Sequence, residues 1–146
     1  SVGALVVRDQ QLLVVRHTYP PSQGQYMLPG GVVEPGEMLD AAAAREVLEE
    51  TGIIAAPLGI VGVSSIVYEG ITHVYVFWLM QPLDGALHAD AVEVDDCRYL
   101  PFDELDTRAD VSYLVKYVAS RLRDGTFNLA PRAADFADDV AGLSPE

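Results

Sequence analysis

The chain has 146 residues, half of them hydrophobic, which suffices for one domain with a buried core and is too apolar for a disordered chain. Nine basic residues against 22 acidic ones give a net charge of -13, with Lys116 as the sole lysine; such a surface repels nucleic-acid backbones, so an anionic ligand needs a local arginine or metal ion. No apolar run is long enough to span a membrane, no signal peptide is visible, and the single cysteine, Cys97, excludes an intramolecular disulfide; no nucleic-acid or membrane partner and a cytoplasmic location are the expectations.

The first segment, "VGALVVRDQQLLVVRH" (Val2 to His17), holds two apolar runs around a polar centre and predicts a hairpin or two paired strands. "TYPPSQGQ" (Thr18 to Gln25) is a loop, and "YMLPGGVVEPGE" (Tyr26 to Glu37) is short extended pieces broken by proline and glycine. A helix is predicted over about Met38 to Thr51, stopped by Gly52. "IIAAPLGIVGVSSIVYEG" predicts a strand turning at Glu69-Gly70, and "ITHVYVFWLMQPL" (Ile71 to Leu83) its return, with Trp78 in the core and His73 a polar strand residue. A polar loop, "DGALHADAVEVDD", leads to a short strand and a helical turn in "CRYLPFDEL", where Cys97 is read as a small packed residue. "DVSYLVKYVASRLRDG" (Asp110 to Gly125) has helical spacing. The tail from Thr126 is either flexible or holds a weak helix over Ala133 to Ala141. The pattern is a mixed α+β domain over residues 1–125 with a tail over residues 126–146.

Within the predicted central helix, "REVLEE" (Arg45 to Glu50) crowds Glu46, Glu49 and Glu50 into one arc, at i, i+3 and i+4 spacing. Ala41, Ala44, Val47, Leu48 and Thr51 fall on the opposite arc, which is assigned to the core. Like charges so spaced cost a few tenths of a kcal/mol per pair in about that order of magnitude, and Arg45 offsets part of it. A solvated acidic face is the simplest reading of the six residues alone. Three carboxylates on one face also make a half-site for Mg²⁺, which prefers oxygen ligands and binds through a few carboxylates plus substrate phosphates.

The wider segment decides between these readings. From Gly31, five residues lead to Glu37, seven more lead to Arg45-Glu46, and Val47, Leu48, Glu49, Glu50, Thr51, Gly52 and Ile53 follow. This resembles the Nudix box of the Nudix hydrolases at every defined position. The box covers residues 31–53, and a looser likeness in element order covers about Val2 to Arg123.

The resemblance implies an α/β/α sandwich around a mixed β-sheet. It also implies Mg²⁺-dependent cleavage of the diphosphate bridge of a nucleoside diphosphate linked to a group X, with Mn²⁺ as a substitute ion. Glu46, Glu49 and Glu50 match metal-binding glutamates, and the carbonyl of Gly30 matches a further ligand position. Glu37 and Arg45 match residues that brace the helix and loop, Gly31 and Gly36 serve backbone geometry, and Gly52 is the glycine of the box that ends the helix. Relatives take a further carboxylate from a distant loop; Glu93 is the first candidate and Asp96 the next. The general base is left open between Glu46 and Glu93. Arg16, Tyr26, Tyr68 and Tyr75 are candidate substrate contacts, the tyrosines for stacking on a base. A small-molecule nucleotide is the expected partner, and a homodimer is expected from the habits of the family alone. Two alternatives share the resemblance: a nucleotide-sensing module without catalysis, disfavoured by the intact acidic positions, and an RNA-decapping enzyme, disfavoured by the charge.

Overall fold

The computed structural model describes residues 1–125. The predicted helix over Ala133 to Ala141, and the tail as a whole, lie outside the described residues. In chain order the elements are β1 (Val2–Arg8), β2 (Gln11–His17), β3 (Tyr26–Met27), β4 (Gly30–Gly31), α1 (Leu39–Thr51), β5 (Ile53–Tyr68), β6 (Ile71–Gly85), β7 (Val94–Pro101), α2 (Phe102–Leu105) and α3 (Tyr113–Arg123). The seven strands form one hydrogen-bonded sheet with the path β3-β2-β1-β6-β5, β4 lying on β1 and β7 on β2. The sheet is mixed, because β1 runs parallel to β6 while its other pairings are antiparallel.

The β1–β2 hairpin turns on Asp9 and Gln10, both at positive φ, the backbone that a two-residue turn needs to follow strand twist. The two strands pair only near that turn, at Val7↔Leu12 and Arg8↔Gln11. Beyond it they part, and the "YMLPGG" segment fills the gap. Tyr26 and Met27 pair with β2, and Gly30 and Gly31 pair with β1. This wedge carries Gly30 and Gly31 to the sheet margin beneath α1.

Strand alternation then builds two cores. Val2, Ala4 and Val6 of β1 join Leu13, Trp78 and Met80 under α1, against Ala42, Ala43 and Val47. Leu5 of β1 and Leu12 and Val14 of β2 face the opposite layer, with Phe102 and Leu105 of α2 and Val115, Val118 and Ala119 of α3. Helices therefore cover both faces, the α/β/α sandwich that the resemblance implies. Burial on both faces also explains why β1 and β2 read as nearly continuous apolar runs.

Three boundaries differ from the sequence reading. β6 runs on to Gly85, β7 begins at Val94 rather than Cys97, and α3 begins at Tyr113. The last has a local cause, since Ser112 caps the helix by accepting the N–H of Val115 at 3.3 Å. The larger correction concerns α1. Its buried face is Ala42, Ala43, Glu46, Val47, Glu50 and Thr51, while Ala41 and Leu48 are exposed. The helix is rolled so that two of its glutamates turn inward and Ala42 and Ala43 meet the sheet. Side chains this small set the helix-to-sheet distance. Ala43→Leu is expected to destabilise the protein by about 1–3 kcal/mol through overpacking, read as a lower urea midpoint, whereas Ala41→Leu on the exposed face should leave it within about 0.5 kcal/mol.

Candidate active site

α1 is a regular helix that ends where Gly52, at φ 73°, donates its N–H to the carbonyl of Leu48. It delivers Glu46 and Glu50 inward and leaves Glu49 at the rim. Glu50 is 2 % exposed. Its Oε2 accepts the N–H of Gly30 at 3.0 Å, while its Oε1 has no hydrogen-bond partner among the described residues. Burial pushes this carboxyl up to about 8; the Gly30 N–H works against the rise, and the negative charges of Glu46, Glu93 and Asp90 add to it. Glu46, 8 % exposed, is also raised by burial, with Arg45 opposing. Gly31 lies against it so closely that a Cβ there would stand 2.4 Å from Glu46 Oε1.

Arg45 ties the acidic groups into one network. Its Nε and Nη2 donate to the two oxygens of Glu37, at 2.7 and 3.0 Å. Its Nη1 donates to Glu46 at 2.9 Å and to Glu49 at 3.1 Å, and Nη2 also reaches the carbonyl of Val32 at 3.1 Å. The fork-like guanidinium suits this task, because it offers several donors in fixed directions. The arginine stays charged, and the same bond from Arg45 holds Glu37 below the usual carboxylate range, helped by the N–H of Glu34.

The opposite wall comes from the segment before β7 and from the loop after β2. One oxygen of Asp90 accepts the N–H groups of Val92, Glu93 and Val94, at 2.7, 2.9 and 3.1 Å. The carbonyl of Glu93 accepts from the N–H and hydroxyl of Thr18, at 3.0 and 3.1 Å. The backbone that carries Glu93 is thereby fixed from both sides. Tyr19 stacks on His17 with ring centroids 4.9 Å apart, and His17 Nδ1 sits 2.5 Å from the hydroxyl of Ser22. Between the walls lies a cavity of about 490 Å³, lined by Tyr19, Gly30, Gly31, Arg45, Glu46, Glu49, Glu50, Asp90 and Glu93.

The structure thus gathers Gly30, Gly31, Arg45, Glu46, Glu49, Glu50 and Glu93 around one space, with Glu37 behind Arg45. Five other candidates are placed elsewhere. Tyr26 is 1 % exposed and packs in the α3-side core, its hydroxyl donating to Asp96, so it has no face to offer a base. Asp96 is engaged there by Tyr26 and Arg98 and does not line the cavity. Arg16 is exposed and ion-paired to Asp95 at 2.7 Å. Tyr68 stands at the far end of β5, beside the Glu69-Gly70 turn, and Tyr75 stacks on Phe77 with centroids 6.5 Å apart. Neither tyrosine lines the cavity. Sequence reasoning missed Asp90 and Tyr19. An aspartate whose side chain can accept the N–H two residues on is a signal for this kind of turn, but a tyrosine inside a proline-rich loop carries none.

The donors at this site are all oxygens, the set that hard divalent ions prefer. Among the described residues no three acidic, histidine or cysteine side chains already converge as a metal cage, because Arg45 stands between Glu46 and Glu49. Glu50 nevertheless fits a cation. A buried carboxylate oxygen without a donor is costly, and a divalent ion is the group that would satisfy it.

A family model described as NUDIX domain matches residues 1–119. The chain belongs to the Nudix family. It is 37% identical over 65 residues to the ADP-ribose pyrophosphatase of Methanocaldococcus jannaschii, a match covering 44% of this chain and only 38% of that protein's length. It is 33% identical over 117 residues to a MutT-like protein of Streptomyces ambofaciens, covering 80% of this chain and 72% of that one. Among solved structures, a NUDIX hydrolase from Nitrosomonas europaea superposes with a TM-score of 0.74 at 24% identity, over 99% of this chain and 95% of that chain. That likeness shows the shared fold.

The buried carboxyls make the stability of the metal-free protein depend on pH. Unfolded, Glu50 returns to the ordinary carboxyl value of 4.5, and folded it sits at about 8. The folded state therefore holds a proton that the unfolded state has released, and stability falls as pH rises through that window. Glu46 contributes with the same sign. The slope is at most about 1.4 kcal/mol per pH unit for one group. Urea unfolding in chelator is expected to show a midpoint that declines from about pH 5 to about pH 8, with Glu50→Gln flattening the decline.

Proposed function

We propose that this chain is a Mg²⁺-dependent pyrophosphohydrolase. Its substrate would be a small soluble nucleotide, a nucleoside diphosphate linked to a group X, as in a nucleoside triphosphate, a nucleotide sugar or a dinucleotide polyphosphate. The observation that carries this reading is Glu50: a buried carboxylate with one orphaned oxygen, in a cavity that Glu46, Glu49, Asp90 and Glu93 also line. The relative named an ADP-ribose pyrophosphatase supports the same class of substrate.

In this reading Glu46, Glu49, Glu50 and the carbonyl of Gly30 hold the ion. When bound, Mg²⁺ supplies the positive charge that an acidic protein lacks toward a diphosphate. Arg45 is a positioning residue: it holds Glu46 and Glu49 at a fixed angle and is itself anchored on Glu37. Glu93 accepts the proton from the attacking water. Its carboxylate has no ion pair among the described residues, whereas Glu46 is engaged by Arg45, so of the two candidate bases Glu93 is the freer. Its fixed backbone keeps that carboxylate over the cavity. Tyr19, pre-stacked on His17, presents an aromatic wall to the base or to X.

Two substitutions separate these roles. Glu50→Gln keeps size and removes the charge, and is expected to lower turnover by about a hundredfold or more, with Mg²⁺ affinity also reduced. Glu93→Gln is expected to lower turnover by about 10²- to 10⁴-fold while KM stays within a few-fold. Phosphate release from a nucleotide panel, coupled to a phosphatase, measures both. Full activity in excess chelator would refute the metal-dependent reading. A merely few-fold effect of Glu93→Gln would return the base to Glu46.

A further inference from the structure

Three of the nine basic residues stand around one ring. The guanidinium carbons of Arg98, Arg108 and Arg16 lie 5.3, 5.4 and 5.8 Å from the ring centroid of Tyr26. Strand pairing explains the convergence. Tyr26 of β3 and Asp96 of β7 flank Arg16 of β2 in register, so all three share a face. Arg98 pairs with Val14, two residues along on that same face. The Tyr26 side chain reaches across β2 to donate its hydroxyl to Asp96. Arg108 comes from the other side, because the backbone at Asp110 and Ser112 is bonded to that of Tyr26. This is the α3 face of the sheet, where Tyr26, Leu12 and Val14 pack, and none of the three arginines lines the carboxylate cavity.

The three arginines are not held alike. Arg108 grips both oxygens of Asp110, through Nε at 2.9 Å and Nη2 at 2.7 Å, which is simple charge balance. Arg16 and Arg98 each donate through Nε alone, to Asp95 and to Asp96, both at 2.7 Å. Among the described residues no acceptor meets the Nη1 or Nη2 of either one. A guanidinium anchored at Nε is fixed in direction, and its terminal fork is left free to bond. The two side chains are 38 and 46 % exposed, so an incoming group can reach those forks.

We propose that Arg16 and Arg98, with Arg108 beside them, form a binding site for a phosphate-type oxyanion on the α3 face. A tetrahedral anion presents several acceptor oxygens in different directions, which suits two forks from adjacent strands, whereas a single carboxylate matches one fork. Asp95, Asp96 and Asp110 offset the repulsion among the three guanidinium groups without occupying the free nitrogens of Arg16 and Arg98. The whole molecule, at -13, repels anions at long range, so capture depends on this short-range convergence. The cavity beside α1 is lined by carboxylates and in the metal-free protein offers phosphate no comparable donors. The site is independent of the proposed reaction.

The test is calorimetric titration of the full chain, dialysed free of divalent metal, with inorganic phosphate at an ionic strength fixed by chloride. Saturable binding to one site is expected, weakening as chloride is raised. Arg98→Gln and Arg16→Gln are each expected to weaken it by about tenfold or more, since each removes a charged fork. Arg98→Lys keeps the charge but loses the fork, and should restore little of the binding. Arg8→Gln, on β1 over the ring of Tyr99, should leave it unchanged. Adenosine monophosphate in the same titration tells two sources of the group apart: binding sensitive to Arg98→Gln admits a phosphate ester to the site, and its absence restricts the site to the free ion. Circular dichroism melting checks that each variant is folded, and should Arg98→Gln fail to fold, Arg16→Gln carries the decision. Inorganic phosphate that binds no better than chloride, or binding that survives both glutamine substitutions, would overturn the proposal.

Discussion

Burial of Glu50 is the constraint on which the rest of this structure turns. A helix rolled to leave Glu46, Glu49 and Glu50 all in solvent would have presented Leu48 to the core. Instead α1 turns Glu46 and Glu50 inward and leaves Leu48 outside. The cost of desolvating a carboxylate is offset here by one N–H bond from Gly30 and by partial retention of a proton. The parting of β1 from β2 follows the same need, for only the wedge at Tyr26 to Gly31 puts that N–H within reach.

The arginine beside these groups plays a different part from a simple counterion. A lysine would have reached one carboxylate, whereas Arg45 engages Glu37, Glu46 and Glu49 together with the carbonyl of Val32. It therefore measures distances between the "VVEPGE" loop and the helix as well as balancing charge. The opposite wall is secured without an ion pair among the described residues, through the side chains of Asp90 and Thr18 bonding to backbone. A rigid wall and a charge-braced wall facing each other suit the proposed function, in which an ion and a diphosphate would enter between them.

Much of this was legible in the sequence, and the exceptions share a cause. The strands, the turn at Glu69-Gly70 and the helix stop at Gly52 all rest on local pattern and, apart from the shifted ends of β6 and β7, each is where the pattern puts it. The roll of α1 was not legible. Helical periodicity weighs hydrophobicity, and it cannot know that a buried glutamate is preferred to a buried leucine when a backbone N–H waits opposite. Tyr26 misled for a related reason: its ring packs under α3 and only its hydroxyl remains polar, a distinction that depends on Asp96, seventy residues away. Tyr19 escaped notice because its position depends on His17 and on the fold of a loop that has no period at all.

Trp78 gives the two cores unequal visibility. It is the single tryptophan, has no solvent exposure, and belongs to the layer beneath α1 together with Ala42, Ala43 and Val47. Among the described residues its indole N–H has no hydrogen-bond partner, and the cluster around it is mostly aliphatic. Intrinsic emission excited at the indole band therefore reports one side of the sandwich: it is blue-shifted in the native state and moves when the α1 layer loosens. Fraying of α2 and α3 on the other face leaves that emission unchanged, so only far-ultraviolet dichroism would register it. A difference between the two optical signals would separate events in the layer that carries the carboxylates from events in the layer that merely supports it.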